Sequence, residues 1–205
     1  MTTQNNQEQE VKFYISHLEA LEERLQQAGA RLKQKRVFEA NLRFDTPGGD
    51  LVRKAQVLRL RQDERVRLTY KGPSDLGQGV TSRPEIEFEA SSFENAQAFL
   101  EALGYVVSVR YEKYRTTYLL EDVEVTLDEL PYGDFAEIEG LGVEAIRSTA
   151  GLLGLNWEAR GMESYLALFS RLQAGQALAA RHLTFDEVRQ KFPAQAFGLL
   201  PADES

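Results

Sequence analysis

The chain has no cysteine among its 205 residues. Disulfides, thiolate metal ligands and cysteine nucleophiles are thereby excluded, and a reducing, cytoplasmic setting is the expectation. Histidine is nearly as scarce: His17 and His182 are the two copies, and neither sits in a triad-like context. No apolar run approaches the roughly 20 residues that span a bilayer, and the polar stretch from Met1 to Gln9 carries no secretory pattern. No membrane partner is expected. Positive charge is also in deficit, with 24 Lys and Arg against 32 Asp and Glu, a net charge of −8. That balance argues against general nucleic-acid binding, which needs a basic face, but not against a local cationic pocket. There is no Gly-Lys-Ser/Thr phosphate loop, and Gly77-Gln78-Gly79 does not join a strand to a helix at nucleotide-binding spacing, so it is read as a flexible loop.

What is present is ordinary for a globular protein, with 42% hydrophobic and 27% charged residues. The length suits one good-sized domain with a small appendage. Residues 8–15 alternate, with Val11, Phe13 and Ile15 on one face and Glu8, Glu10 and Lys12 on the other. Further strand patterns run over 31–46, 56–62, 66–72, 82–90, 105–120, 123–130 and 134–139. Helical spacing appears at 17–29 and 93–103, and again after Gly142. Trp157 is read as helix packing. From about residue 173 the chain turns alanine-rich and polar. We therefore expect a main domain over 1–172 and a loosely attached helical C-terminal tail over 173–205. Eight strands linked mostly by turns suit an α+β fold: a closed eight-stranded antiparallel β-barrel with helices packed outside.

The informative pattern is charge at a spacing of two, which places side chains on one face of a strand. It recurs as Glu8, Glu10 and Lys12, as Arg59 and Arg61, as Arg83, Glu85 and Glu87, as Lys113 and Arg115, and as Glu137 and Glu139, and at twice that spacing, still on one face, as Arg67 and Lys71 and as Glu124 and Asp128. A solvated sheet face explains any one of these strands. The set differs, because cations and acids together dominate nearly every strand and the helices need the apolar faces to pack on. The charged faces then point inward, which is costly unless the charges are paired, hydrated or bound to an ionic ligand. Arginine and lysine suit a polyanion. Carboxylates beside a polyphosphate suit a hard divalent cation.

Glu8-Gln9-Glu10-Val11-Lys12 resembles the ExExK signature of CYTH domains, the triphosphate tunnel metalloenzymes. The order of Leu58-Arg59-Leu60-Arg61, Leu68-Thr69-Tyr70-Lys71-Gly72-Pro73, Arg83-Pro84-Glu85-Ile86-Glu87, Glu112-Lys113-Tyr114-Arg115, Thr126-Leu127-Asp128 and Gly133-Asp134-Phe135-Ala136-Glu137-Ile138-Glu139 is similar to that family too. The resemblance covers residues 8–139. It implies a tunnel, Mg²⁺ or Mn²⁺, and a small-molecule triphosphate substrate. By the same resemblance Glu8, Glu10, Glu85, Glu87, Asp128, Glu137 and Glu139 are the metal-site acids, and Lys12, Arg59, Arg61, Lys71, Arg83, Lys113 and Arg115 the triphosphate ligands. Glu8, Glu10, Lys12, Lys71 and Asp128 form the catalytic set. The expected activity is a metal-dependent triphosphatase acting on tripolyphosphate, thiamine triphosphate or a nucleoside triphosphate. The alternatives are an adenylate cyclase of class IV type and a non-catalytic polyphosphate- or nucleotide-binding module. Dimerisation through outer helices stays open.

Overall fold

This computed structural model describes residues 8–73, 81–176 and 178–204, with side chains at 9–73, 84–175 and 178–204. In chain order the elements are β1 (Glu8–Ile15), α1 (Leu18–Gln27), β2 (Arg31–Asp45), α2 (Asp50–Arg53), β3 (Val57–Gln62), β4 (Val66–Lys71), β5 (Thr81–Arg83) and β6 (Glu85–Ala90). They continue with α3 (Phe93–Ala102), β7 (Val106–Leu120), β8 (Val123–Leu130), β9 (Gly133–Gly140), α4 (Val143–Leu152), β10 (Arg160–Gly161) and α5 (Tyr165–Gln176). The helices begin and end where local chemistry dictates. Ser92 caps α3 by accepting from Asn95 N–H at 3.1 Å, and Gly29, at φ +81°, closes α1. No helix among the described residues is long and apolar enough to cross a membrane.

The expected closed eight-stranded barrel does not form. The strands make one open antiparallel sheet in the order β10-β1-β9-β8-β7-β2-β3-β4-β6, with β5 off this path on β1. The cause lies at the edges. Pro84 has no N–H to give a ladder, and it splits the expected 82–90 strand into β5 and β6. β6 stays on β4, while β5 turns to β1 with Glu8 opposite Arg83. The next part of that β1 edge is taken by β10, which sets Gly161 opposite Lys12. No described strand covers the far edge of β6. The one described strand absent from the sequence reading, β10, has two residues, too few to show alternation.

The open sheet is nonetheless curled. Register shifts interrupt the β2–β7 pairing at Leu32/Gln34, Gln34/Val37 and Arg43/Phe44, and such irregularities bend a strand and raise its twist. Where β4 ends, Gly72 N–H donates to the Pro84 carbonyl at 2.9 Å, and a Cβ at Gly72 would stand 2.9 Å from the Pro84 ring. The chain passes this point because residue 72 has no side chain.

Three apolar clusters hold the fold. One joins the outer faces of β1, β7, β8 and β9, through Val11, Phe13, Val125 and Ile138, to Leu21 and Leu25 of α1 and Ile146 of α4. A second sets Leu100 of α3 on Leu42, Phe44 and Leu60 of β2 and β3. The third overturns the expectation that helices pack only outside. Tyr14, Tyr111, Leu130 and Phe135 alternate with outward residues, so they share the inner face with the charges, and α5 packs on them through Tyr165, Leu168, Phe169 and Leu172. Leu183, Val188, Ala194 and Phe197 complete this cluster. Residues 178–204 thus carry no α-helix and are packed on this cluster. Their one regular element among the described residues is a 3-10 turn at Ala194–Phe197. Leu183 bridges to Tyr111, and Pro201 to Tyr14.

Candidate active site

The curl turns the charged strand faces onto a cavity of about 850 Å³. Glu10, Lys12, Arg59, Arg61, Lys71, Glu85, Glu87, Lys113, Arg115, Glu137 and Glu139 all line it, as the spacing of two anticipates. The backbones of Glu8 and Arg83 pair in register, but both side chains lie outside the described residues. Asp128 is not in the wall. It is fully buried behind it, accepting from Lys113 Nζ at 2.9 Å, Arg115 Nε at 2.6 Å and Tyr165 OH at 2.8 Å.

Several charges in the wall are met by opposite ones. Lys12 Nζ lies 2.8 Å from Glu10 and 3.1 Å from Glu137. Glu137 also pairs with Arg115. Lys71 reaches Glu85 at 2.5 Å, and Glu87 accepts from Thr69 at 2.7 Å beside Arg59. The electrostatics follow from this pairing. Lys12 lowers the Glu10 carboxyl below its ordinary range against the effect of burial. Burial disfavours the Glu137 charge, yet Lys12, Arg115 and Lys113 overcome it and hold that carboxyl well below the usual value. Burial likewise pushes the Lys12 ammonium down, but Glu10 and Glu137 more than reverse it. All three groups are charged at neutral pH.

Several site residues escaped the sequence reading. Glu39 on β2 is 1% exposed and faces Arg61 at 3.4 Å and Lys113 at 3.6 Å. Burial opposes its charge, and Lys113, Arg115, Arg61 and Arg59 together hold it far below the normal carboxylate range. Asn41, two residues on, is buried with neither amide atom hydrogen-bonded among the described residues. Arg43, two further on, lines the cavity. The spacing of two was there in Glu39, Asn41 and Arg43. What was missing was the knowledge that β2 lies between β3 and β7, opposite Arg61 and Lys113. Tyr111 lines the cavity with Arg59 at 3.5 Å from its hydroxyl. Burial raises its phenol, but Arg59, Arg61 and Lys113 outweigh that and lower it. Tyr165 had no signal at all, because it falls in an apolar helical stripe. Burial, then Asp128 and Glu137, raise its phenol well above the ordinary value, so it remains a proton donor.

The implied Mg²⁺ or Mn²⁺ would need a set of oxygen donors. Glu10, Glu139 and Glu124 stand in one register row across β1, β9 and β8. Oxygen donors of this kind are what a hard divalent cation takes, so the residues fit the ion chemically. They do not form a ready-made cage: among the described residues no three such acids converge at metal-binding spacing, and Glu10 and Glu137 are engaged by Lys12. The same wall also carries apolar side chains. Val52, Ala55 and Val57, near the end of β2, and Val109 on β7 line it, with Leu166 and Ala167 of α5.

A curled sheet thus holds opposed cations and carboxylates on its concave face, the two kinds of group that a polyanion and a hard cation respectively take. The chain belongs to the CYTH domain family, whose profile matches residues 6–145. It is 28% identical over 137 residues to a protein of Methanocaldococcus jannaschii provisionally named adenylate cyclase, covering 66% of this chain and 73% of that one. A solved structure from Vibrio parahaemolyticus, also provisionally named adenylate cyclase, superposes with a TM-score of 0.73 at 23% identity, covering 82% of this chain and 99% of the other. A Hippeastrum protein described as a provisional adenylyl cyclase with a dominant triphosphatase activity superposes at 0.61 with 22% identity, covering 80% and 95%. These two structures share the fold.

Proposed function

We propose that the protein is a divalent-metal-dependent triphosphatase. One observation supports this above the rest: Lys12, Arg59, Arg61, Lys71, Lys113 and Arg115 line a single cavity together with Glu10, Glu137 and Glu139. No apolar or neutral ligand would offset so much buried charge, whereas a triphosphate and a divalent cation meet both signs at once. Arg59, Arg61, Lys113 and Arg115 would bind phosphate oxygens and stabilise charge as it develops on them. Glu10 and Glu139, with Glu8 two residues before Glu10, would hold a cation that neutralises phosphate charge. Lys12 would give up its pairing with Glu10 and Glu137 and turn to phosphate. Asp128, with its oxygens taken by Lys113, Arg115 and Tyr165, orients cations and does not present a free ligand face.

A second chemistry, cyclisation of ATP, is favoured by the apolar side chains of Val57, Val109 and Leu166 in the same wall, which would seat a base beside the phosphates. The provisional cyclase name of the M. jannaschii relative points the same way. Product analysis separates the possibilities. Purified protein is incubated with tripolyphosphate, thiamine triphosphate and ATP, each with Mg²⁺ or Mn²⁺. Orthophosphate that disappears with chelator is the expected result. Cyclic AMP with pyrophosphate would establish the cyclase instead, and binding without product would leave a binding module.

A further inference from the structure

Tyr165 lies on α5, beyond the 6–145 stretch matched by the family profile. Its surroundings exceed what a core tyrosine needs. The hydroxyl donates to Asp128 Oδ2 at 2.8 Å, and the same carboxylate accepts from Lys113 at 2.9 Å and Arg115 at 2.6 Å. The ring lies 5.6 Å from Lys12 Nζ and 5.3 Å from Lys113 Nζ. One side chain thus touches, directly or through one carboxylate, Lys12, Lys113 and Arg115. Its own placement is fixed: Tyr132 OH donates to the Tyr165 carbonyl at 2.9 Å, and the ring packs edge-on to Phe135 at 5.2 Å.

We propose that Tyr165 is a positioning residue for the polyanion grip: by donating to Asp128, it sets how tightly that carboxylate holds Lys113 and Arg115. The proposal rests on reading the cavity as a triphosphate site. A carboxylate buried among cations needs its lone pairs filled. A phenol fills one of them without adding positive charge, so Lys113 and Arg115 are not Asp128's only donors and can turn toward phosphate oxygens. Without the hydroxyl, Asp128 compensates by drawing both cations back, in direct competition with the substrate. The helix that carries Tyr165 thereby tunes a site whose cations all come from the sheet.

Tyr165→Phe keeps the ring, its packing and its place beside the ammonium groups, and removes the O–H alone. In the full-length protein with Mg²⁺, tripolyphosphate affinity is measured by calorimetry and hydrolysis by phosphate release, for wild type, Tyr165→Phe, Lys113→Met and the double variant. Loss of one hydrogen bond to a charged group predicts an increase of about tenfold in Kd and KM, with kcat little changed. In the Lys113→Met background the same change is expected to shift Kd by less than about twofold, because coupled residues are not additive. An unchanged Kd for Tyr165→Phe, or equal effects in both backgrounds, would overturn the proposal. Wild-type protein that binds tripolyphosphate and responds to Tyr165→Phe without hydrolysing any triphosphate would uphold the positioning role and sink the triphosphatase. Wild-type protein that fails to bind tripolyphosphate would sink both.

Discussion

At the scale of single residues, the cavity is a set of charges that tolerate one another only as a set. Glu10 shows the functional side of this. It pairs with Lys12 at 2.8 Å and shares a register row with Glu139. Glu10→Gln keeps the shape and removes the charge a metal needs, so turnover is expected to fall by more than about 100-fold, since a bound cation supplies several kcal/mol of charge stabilisation. Unaltered hydrolysis rates would remove Glu10 from the metal site. Glu39 shows the structural side. Its side chain is buried between Arg61 and Lys113, and removing one partner of a buried pair costs about 3–5 kcal/mol. Glu39→Ala should therefore lower the urea midpoint strongly, and a shift within the error of the measurement would show that water satisfies the stranded cations. Spacing alone exposed Glu10 because a lysine and a second acid stand beside it in sequence. Glu39 has its partners on neighbouring strands.

At the scale of elements, the segment after α5 departs most from what its composition suggests. Alanine-rich, polar sequence reads as a loose helical tail, yet Phe197 is fully buried and packs on Tyr132 at 5.0 Å and Tyr14 at 6.0 Å. Phe192 N–H is bonded to the Tyr132 carbonyl at 2.8 Å. The few large apolar residues of this segment are spaced for an irregular path over an existing surface, so no period betrays them. Phe197→Ala should cost about 3–5 kcal/mol, the usual penalty for emptying a buried aromatic site, read as a lower melting temperature. A change below about 1 kcal/mol would mean that the segment contributes little to the core. Pro84 acts at the same scale: one residue without an N–H divides an expected strand and leaves the sheet open.

At the scale of the molecule, a concave face filled with ion pairs ties stability to pH. Glu10, Glu39 and Glu137 all have carboxyls depressed in the fold. A depressed carboxyl stabilises the fold fully above its unfolded pKa, about 4.3, and this contribution is lost as pH falls through the folded value. Lys12 is raised, so its contribution is full below its unfolded pKa, about 10.4, and lost only as pH rises through the folded value. Melting temperature should therefore be nearly flat across neutral pH and drop steeply below about pH 4.5. Thermal melts from pH 3 to pH 9, values chosen to bracket that point, test this, and an optimum in the acid range would contradict the sign. Triphosphate with Mg²⁺ should raise the melting temperature, and chelator should remove most of that gain, because ligand binding to the folded state stabilises by mass action.

The sequence by itself determined which residues share the charged face of each strand and which share the opposite one. A strand has a period of two, and Glu10, Arg59, Arg61, Lys113, Arg115 and Glu137 can all be assigned to one face without any knowledge of neighbours. It also determined the family, because ordered motifs survive as text. Tertiary structure alone decided whether the sheet closes, where α5 lies, and that Asp128 stands behind the wall with Tyr165 as its donor. Those outcomes depend on which strand edges meet and on which distant side chains fall within hydrogen-bond reach. Neither quantity is periodic along the chain, so neither leaves a local signal.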